Sequence, residues 1–192
     1  YAMSNNIWYA QYDYGTGMMS QMLVQSTLGG SLGQVHSLSI DLDSSNNPNV
    51  AFSVGGGSRP TQTMYAKANV LLSWTVEVIE NESYDIGDDI TIQVGTDDVP
   101  HIVSHASLVD GEPQTYRHAV RNMTTGTWEA STMTNDSGSG GNYMDFKLDS
   151  ANQPHITFYH HSVLHQASWD DGGWYQSEVI TPSTSVQGGN SV

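Results

Sequence analysis

Eight histidines give the chain its most evident capacity for chemistry at neutral pH, because imidazole is the side chain that titrates there and also ligates metals. His101 and His105 are four residues apart, and His155 and His161 are six apart. Such even spacings place each pair on one face of a strand. Together the four could present an imidazole cluster at one rim, as a metal site or as an acid/base pair. His160, His161 and His165 make a second group on one hairpin, but no His-Glu-x-x-His spacing accompanies it. The plainer reading is that His101 and His155, each directly after a proline, are consensus positions of a repeat.

Carboxylates offer a second chemistry. Asp88-Asp89, Asp97-Asp98 and Asp170-Asp171 invite comparison with glycosidases, yet that reaction needs two carboxylates facing each other across a bond. Adjacent residues on a strand or turn diverge. Asp41-x-Asp43 and Asp97-Asp98 supply hard oxygen donors that would suit Ca2+, but the glycine-punctuated loop of a calcium motif is absent. No cofactor is therefore expected, with Ca2+ as the alternative. Arg59, Arg117 and Arg121 do not recur at equivalent positions, so no arginine cluster for a substrate carboxylate is expected.

Aromatic residues offer a third. Trp8, Trp169 and Tyr175, with Tyr12 and Tyr14, could line a cleft in which an indole stacks on a pyranose ring while polar neighbours bond its hydroxyls. Trp74, Trp128 and Trp174 recur in register and read instead as packing.

The elements that must position these groups emerge from an internal repeat. Ile40 to Phe52, Ile92 to Ser104 and Phe146 to Phe158 align without gaps on Pro48, Pro100 and Pro154, which are 52 and 54 residues apart. Ala66, Ala119 and Ala167 follow, leading to Trp74, Trp128 and Trp174 after eight, nine and seven residues. Period-two alternation marks a first strand over Ser37 to Leu42, Ile90 to Val94 and Met144 to Leu148. A second strand follows each proline, a third carries the alanine, and a fourth begins at the tryptophan. The Asp-Ser-x-Asn-x-Pro connection is a turn, since Asp and Asn tolerate the left-handed region and Pro fixes φ at a strand entry. The small alanine is expected to leave space for an aromatic from the next sheet.

A unit of about 50 residues with four short strands has the length of one β-propeller blade. The expected fold is all-β, with four-stranded blades forming an incomplete ring. Residues 1–30 would be a partial blade of outer strands, 31–83, 84–137 and 138–182 whole blades, and 183–192 the start of a next blade or a tail. The first residues and the last, Gly188 to Val192, read as cuts in a longer protein.

Ser37-Leu38-Ser39-Ile40-Asp41, Pro154-His155-Ile156, Tyr65-Ala66 and Trp74 together resemble the blade repeats of secreted bacterial and archaeal β-propellers, which are loosely similar to sialidase-like repeats and to propeller lectins. Ser168-Trp169-Asp170-Asp171-Gly172-Gly173-Trp174 resembles the structural Asp-box turn of sialidases, with its tryptophan one residue early. The resemblance covers nearly the whole chain and implies architecture. It leaves open lectins, adhesion or surface-layer modules, glycosidases and polysaccharide lyases.

Composition narrows the partners. Five Lys and Arg stand against 20 Asp and Glu, for a formal net charge of -15. A nucleic-acid surface cannot be built from that balance. No run approaches the ~18 apolar residues of a membrane-spanning helix, so no membrane insertion is expected. No cysteine is present, which removes thiolate chemistry. The expected role is a non-catalytic extracellular or cell-surface module that binds glycan or protein through rim loops, with self-association as a way to complete the ring. The alternatives are a carbohydrate-active enzyme using His and Tyr between blades, and a structural surface-layer or filament component.

Overall fold

The computed structural model describes residues 2–3, 6–26, 33–56, 60–69, 73–81, 85–107, 114–136, 143–160, 163–170 and 172–180. Every regular element among them is a β-strand. The first sheet holds β1 (Ala2–Met3), β2 (Asn6–Asp13) and β3 (Met18–Ser26). The second holds β4 (Gln34–Leu42), β5 (Pro48–Gly55), β6 (Gln62–Ala68) and β7 (Trp74–Asn81). The third holds β8 (Asp85–Val94), β9 (Pro100–Ser107), β10 (Gln114–Arg121) and β11 (Trp128–Asp136). The fourth holds β12 (Met144–Leu148), β13 (Pro154–His160), β14 (Val163–Asp170) and β15 (Gly173–Ile180). Strands follow chain order within each sheet, and every pairing is antiparallel.

The turn before each proline is built the same way three times. Asn46, Asp98 and Asn152 hold φ of 61°, 62° and 60°, each two residues before the proline. Asn and Asp accept this left-handed geometry more readily than other residues with a Cβ. A side-chain oxygen of Asp43 or Asp149 closes its own turn by accepting backbone N–H groups. Consecutive turns are then tied across sheets. Ser44 donates its N–H and hydroxyl to the carboxylate of Asp98, each at 2.7 Å, and Thr96 donates the same two groups to Asn152 Oδ1 at 2.9 and 3.1 Å.

A further regularity has no sequence signal in the repeat. In all four sheets the pairing of the last two strands shifts register two to three residues before the landmark alanine, at Ile7/Trp8, Thr63/Met64, Tyr116/Arg117 and Leu164/His165. A bulge bends and twists the strand that carries it, so each sheet is curved at the same place.

The core lies between sheets. Ile7 and Val24 pack on Val50, Phe52 and Met64 at the first junction. Ala51 and Tyr65 pack on Ile90, Ile92 and Ile102 at the second, and Val103, Tyr116 and Met133 on Phe146, Ile156 and Phe158 at the third. Each large buried side chain contributes roughly 1.5–3 kcal/mol by leaving water. The registered tryptophans complete these junctions. Trp74, Trp128 and Trp174 meet Tyr9, Tyr65 and His118 edge-on, with ring centroids 5.7, 5.0 and 5.5 Å apart. Each partner belongs to the preceding sheet, so the aromatic beside Ala66 is Tyr9, from the sheet before rather than the sheet after. The strand direction decides this, because the residue just before each alanine faces the following sheet while the alanine faces the preceding one.

The open edge of the third sheet is covered by its predecessor. Ser37 Oγ, Ser39 Oγ and Asp41 Oδ2 on β4 accept the N–H groups of Ile90, Ile92 and Val94 on β8, at 3.3, 3.2 and 2.7 Å. Unpaired edge N–H groups are thereby satisfied. Among the described residues the first sheet has no counterpart of β4. Ile40 and Leu42, on the face toward it, stay 49% and 46% exposed, whereas Ile92 and Phe146, the counterparts of Ile40, are 2% and 1% exposed.

Candidate functional site at the junction of the third and fourth sheets

Equivalent clefts open at the second-third and third-fourth junctions. The first, about 500 Å3, is lined by Asp43, Lys67, Glu77 and Arg121 beside Tyr65. Its charges are already spent on one another. Arg121 makes a two-pronged bond to Glu77 at 2.9 and 3.1 Å, Trp128 Nε1 donates to the same carboxylate at 3.1 Å, and Lys67 pairs with Asp43 at 3.1 Å. Burial works against ionisation of Glu77, but the hydrogen bonds from Arg121 and Trp128 and the guanidinium charge hold its pKa below the usual range.

The second cleft, about 440 Å3, has different walls. His101, His118, Glu129 and Ser131 come from the third sheet, and Asn152, Gln153 and Trp169 from the fourth. Counting from the landmark proline and alanine, His101 and His118 occupy the positions of Asn49 and Tyr65 and Trp169 that of Arg121; counting from the tryptophan, Ser131 occupies that of Glu77. Where the second sheet has Tyr65 donating to Asn49 Oδ1 at 2.5 Å, the third has two imidazoles in contact, His101 Nδ1 and His118 Nε2, 3.1 Å apart. One ring N–H donates to the lone pair of the other, an arrangement open to neutral imidazoles. Both residues are 8% exposed. Burial, and then the neighbouring His101, push the His118 pKa down to about 3, while burial lowers that of His101 against a smaller opposing pull from Asp97. The pair is neutral at pH 7.

Trp169 stands across the cleft, half-buried, its ring 5.5 Å from that of Trp174 in an edge-on arrangement. Trp174 in turn directs Nε1 toward Ser131 Oγ at 3.5 Å. An indole wall thus faces a ring of uncharged donors and acceptors with one carboxylate, Glu129, and no lysine or arginine lines the cleft among the described residues. Such a surface suits a flat apolar face edged by hydroxyls.

The residues expected from sequence scatter. His101 and Trp169 line this cleft. His105 lies on the same strand face as His101 but is 1% exposed and packs on Tyr116 with centroids 5.4 Å apart, too deep to meet a ligand. His155 is on the opposite face of the fourth sheet, with Nε2 3.6 Å from Asp149 Oδ2. Tyr175, paired across to Ser168, shares that outer face and is 60% exposed. Trp8 is in the first sheet, beside a groove of about 190 Å3. His161 lies outside the described residues. His101, His105 and His155 therefore do not form one cluster, because strand periodicity fixes the face of a sheet but neither the depth nor which sheet face meets which.

His118, Glu129, Asn152 and Gln153 escaped the sequence reading. A signal existed for His118: it precedes Ala119 as Tyr65 precedes Ala66, so it is an imidazole at an aromatic position. The carboxylates considered for Ca2+ are engaged otherwise: Asp41 and Asp98 accept N–H groups of the neighbouring sheet, Asp43 holds Lys67, and Asp97 accepts from Val99 N–H.

No protein-family model matches the chain, and no curated protein matches it. Among solved structures the chain is similar to a fucose lectin from Kordia zhangzhouensis in complex with methyl-fucoside, with 17% sequence identity and a TM-score of 0.49, the match covering 76% of this chain and 99% of the lectin.

Proposed function

We propose that the chain is a non-catalytic, extracellular glycan-binding module whose successive sheets are blades of a β-propeller, and that it holds a neutral sugar in the cleft between its third and fourth sheets. The carrying observation is the wall of Trp169, beside Asn152 and Gln153, opposite His101, His118 and Ser131, without a cation. An indole gives a pyranose ring its stacking surface, and the imidazole pair and amides match hydroxyls, which both donate and accept. Glu129 disfavours acidic sugars by like-charge repulsion and is itself a good acceptor for a hydroxyl. The cleft at the second-third junction lacks this character because its polar groups are already paired to each other. The sheets' repeated face-to-face packing and chain-order strand pairing support the propeller reading.

The test is titration of the purified chain with a panel of neutral and acidic monosaccharides, followed by tryptophan fluorescence and calorimetry. Neutral sugars should saturate one site at this cleft, and Trp169→Ala should weaken them at least about tenfold while the circular dichroism of the chain is unchanged. Equal binding by the Trp169→Ala variant, or selective binding of acidic sugars, removes the reading.

A further inference from the structure

We infer that the face of the fourth sheet turned away from the third, which no other described sheet covers, is half of a second cleft, and that the first sheet of a second copy of this chain completes it. The inference rests on the glycan reading of the third-fourth cleft. On the third sheet that cleft is built from His101, His118, Glu129 and Ser131. Counting from the same landmarks, the fourth sheet carries His155 after Pro154, Gln166 before Ala167, Tyr175 after Trp174 and Ser177 three residues beyond Trp174. These residues share the face turned away from the third sheet, opposite Ala167 and Trp174. A depression of about 270 Å3 already lies there, lined by His155, Thr157 and Gln166 and, unlike the third-fourth cleft, also by Lys147 and Asp149; Tyr175 and Ser177 share the sheet face without lining it. Imidazole, amide, phenol and hydroxyl are a sugar-binding set, and no described residue stands as its facing wall.

The missing wall is an aromatic two residues past the landmark alanine, where Trp169 stands after Ala167. In the first sheet that position is Tyr12, two residues after Ala10. Ile7 and Tyr9 of β2 face the second sheet, so Trp8 and Tyr12 face outward, with Leu23 and Met19 as their cross-strand partners on β3. Tyr12, Met19 and Leu23 are 48%, 64% and 42% exposed. This apolar stripe continues an interface the chain forms three times internally, in which the outward face of one sheet receives the inward face of the next. Among the described residues, the outward faces of the first and fourth sheets are the two mates of that same contact. A second copy supplies both, so a pair of chains satisfies each end through the heterologous contact already used within the chain.

Sedimentation velocity up to about 100 µM tests the association without any sugar. The wild-type chain should sediment at twice its 20.9 kDa. The double variant Met19→Glu/Leu23→Glu on the first sheet, and the double variant Tyr175→Asp/Ser177→Asp on the fourth, should each sediment as monomers. All four residues are exposed, and unchanged circular dichroism verifies folding. Mixing the two variants should restore a dimer, because one intact pair of faces remains between them. A monomeric wild type, or a dimer that survives both double variants, overturns the inference. Calorimetry then separates the cleft from the interface. Two sugar sites per chain in the dimer, falling to one in Met19→Glu/Leu23→Glu and to one in Trp169→Ala, support the composite site. One site per chain in the dimer overturns it while leaving the Trp169 reading intact, and a dimer with no sugar site overturns both.

Discussion

The second-third and third-fourth junctions share one plan and differ in how polar groups are satisfied. At the former, Arg121 and Arg117 reach across to Glu77 and Glu80, and the Arg121–Glu77 and Lys67–Asp43 pairs line the cleft with matched charge. At the latter, the corresponding places hold Trp169, Ser131 and a neutral His101–His118 pair. The first arrangement fastens two sheets at the cost of leaving nothing to offer a ligand. The second transfers the fastening to aromatic packing, with Tyr116 and Phe158 centroids 4.5 Å apart, and leaves hydrogen-bonding capacity at the mouth. Repetition of a fold thus supplies equivalent positions, and a few substitutions at those positions separate a lock from a pocket.

Removing the aromatic packing should have the largest effect. Phe158 is 1% exposed and lies between Tyr116 and His165, so Phe158→Ala should cost about 3–5 kcal/mol in urea unfolding. A loss under about 1 kcal/mol would mean that this junction is not held by its core. Second in size is Glu77→Ala, which strands the Arg121 guanidinium and the Trp128 N–H at once. With side-chain exposures of 22% for Arg121 and 28% for Glu77, the pair is partly screened, and a loss of about 2 kcal/mol is expected. Added salt should reduce the wild-type advantage, since the pair is still reached by ions. Sugar binding at the Trp169 cleft should be unchanged, because the two junctions share no polar partner.

The sequence carried the plan of these junctions better than their differences. Alternation in Ser37 to Leu42, the Asn46/Asp98/Asn152 turn and the spacing to Trp74, Trp128 and Trp174 act within one strand or one turn, where period-two geometry and left-handed tolerance leave a local mark. The meeting of His101 with His118 depends on the register of β9 on β10, which sets His101 opposite Val120 and His118 opposite Val103, and neither strand states that register alone. Likewise His105 and His101 share a face, but one is at the cleft and the other beneath Tyr116. Depth along a strand is set by the neighbouring sheet, and that contact is not written in either strand alone. Trp169 was visible because it breaks the tryptophan register, whereas Glu129, Asn152 and Gln153 are ordinary surface residues until the junction brings them together.

The imidazole pair gives the finest way to sharpen the contrast. A histidine whose folded pKa is lowered binds fewer protons folded than unfolded, so stability falls as pH drops below the unfolded value of about 6.5 and continues to fall toward the folded value. For His118 that window runs from about 6.5 down to about 3. Between pH 7.5 and pH 5 the chain should therefore lose about 1–2 kcal/mol from this residue, with a further loss in the same direction from His101, whose pKa is also lowered by burial. The carboxylates held below their usual range, Asp43 and Glu77 among them, add acid sensitivity only at lower pH, through the range where they take up protons. Replacing the pair by its counterpart from the second sheet, His101→Asn with His118→Tyr, reproduces the Tyr65–Asn49 hydrogen bond and keeps an aromatic against Trp174. Urea unfolding of this variant should be level between pH 7.5 and pH 5, with stability at pH 7.5 within about 1 kcal/mol of wild type, while sugar affinity falls because the donor and acceptor nitrogens at the cleft are gone. A variant that still loses stability over that pH range would place the titration elsewhere.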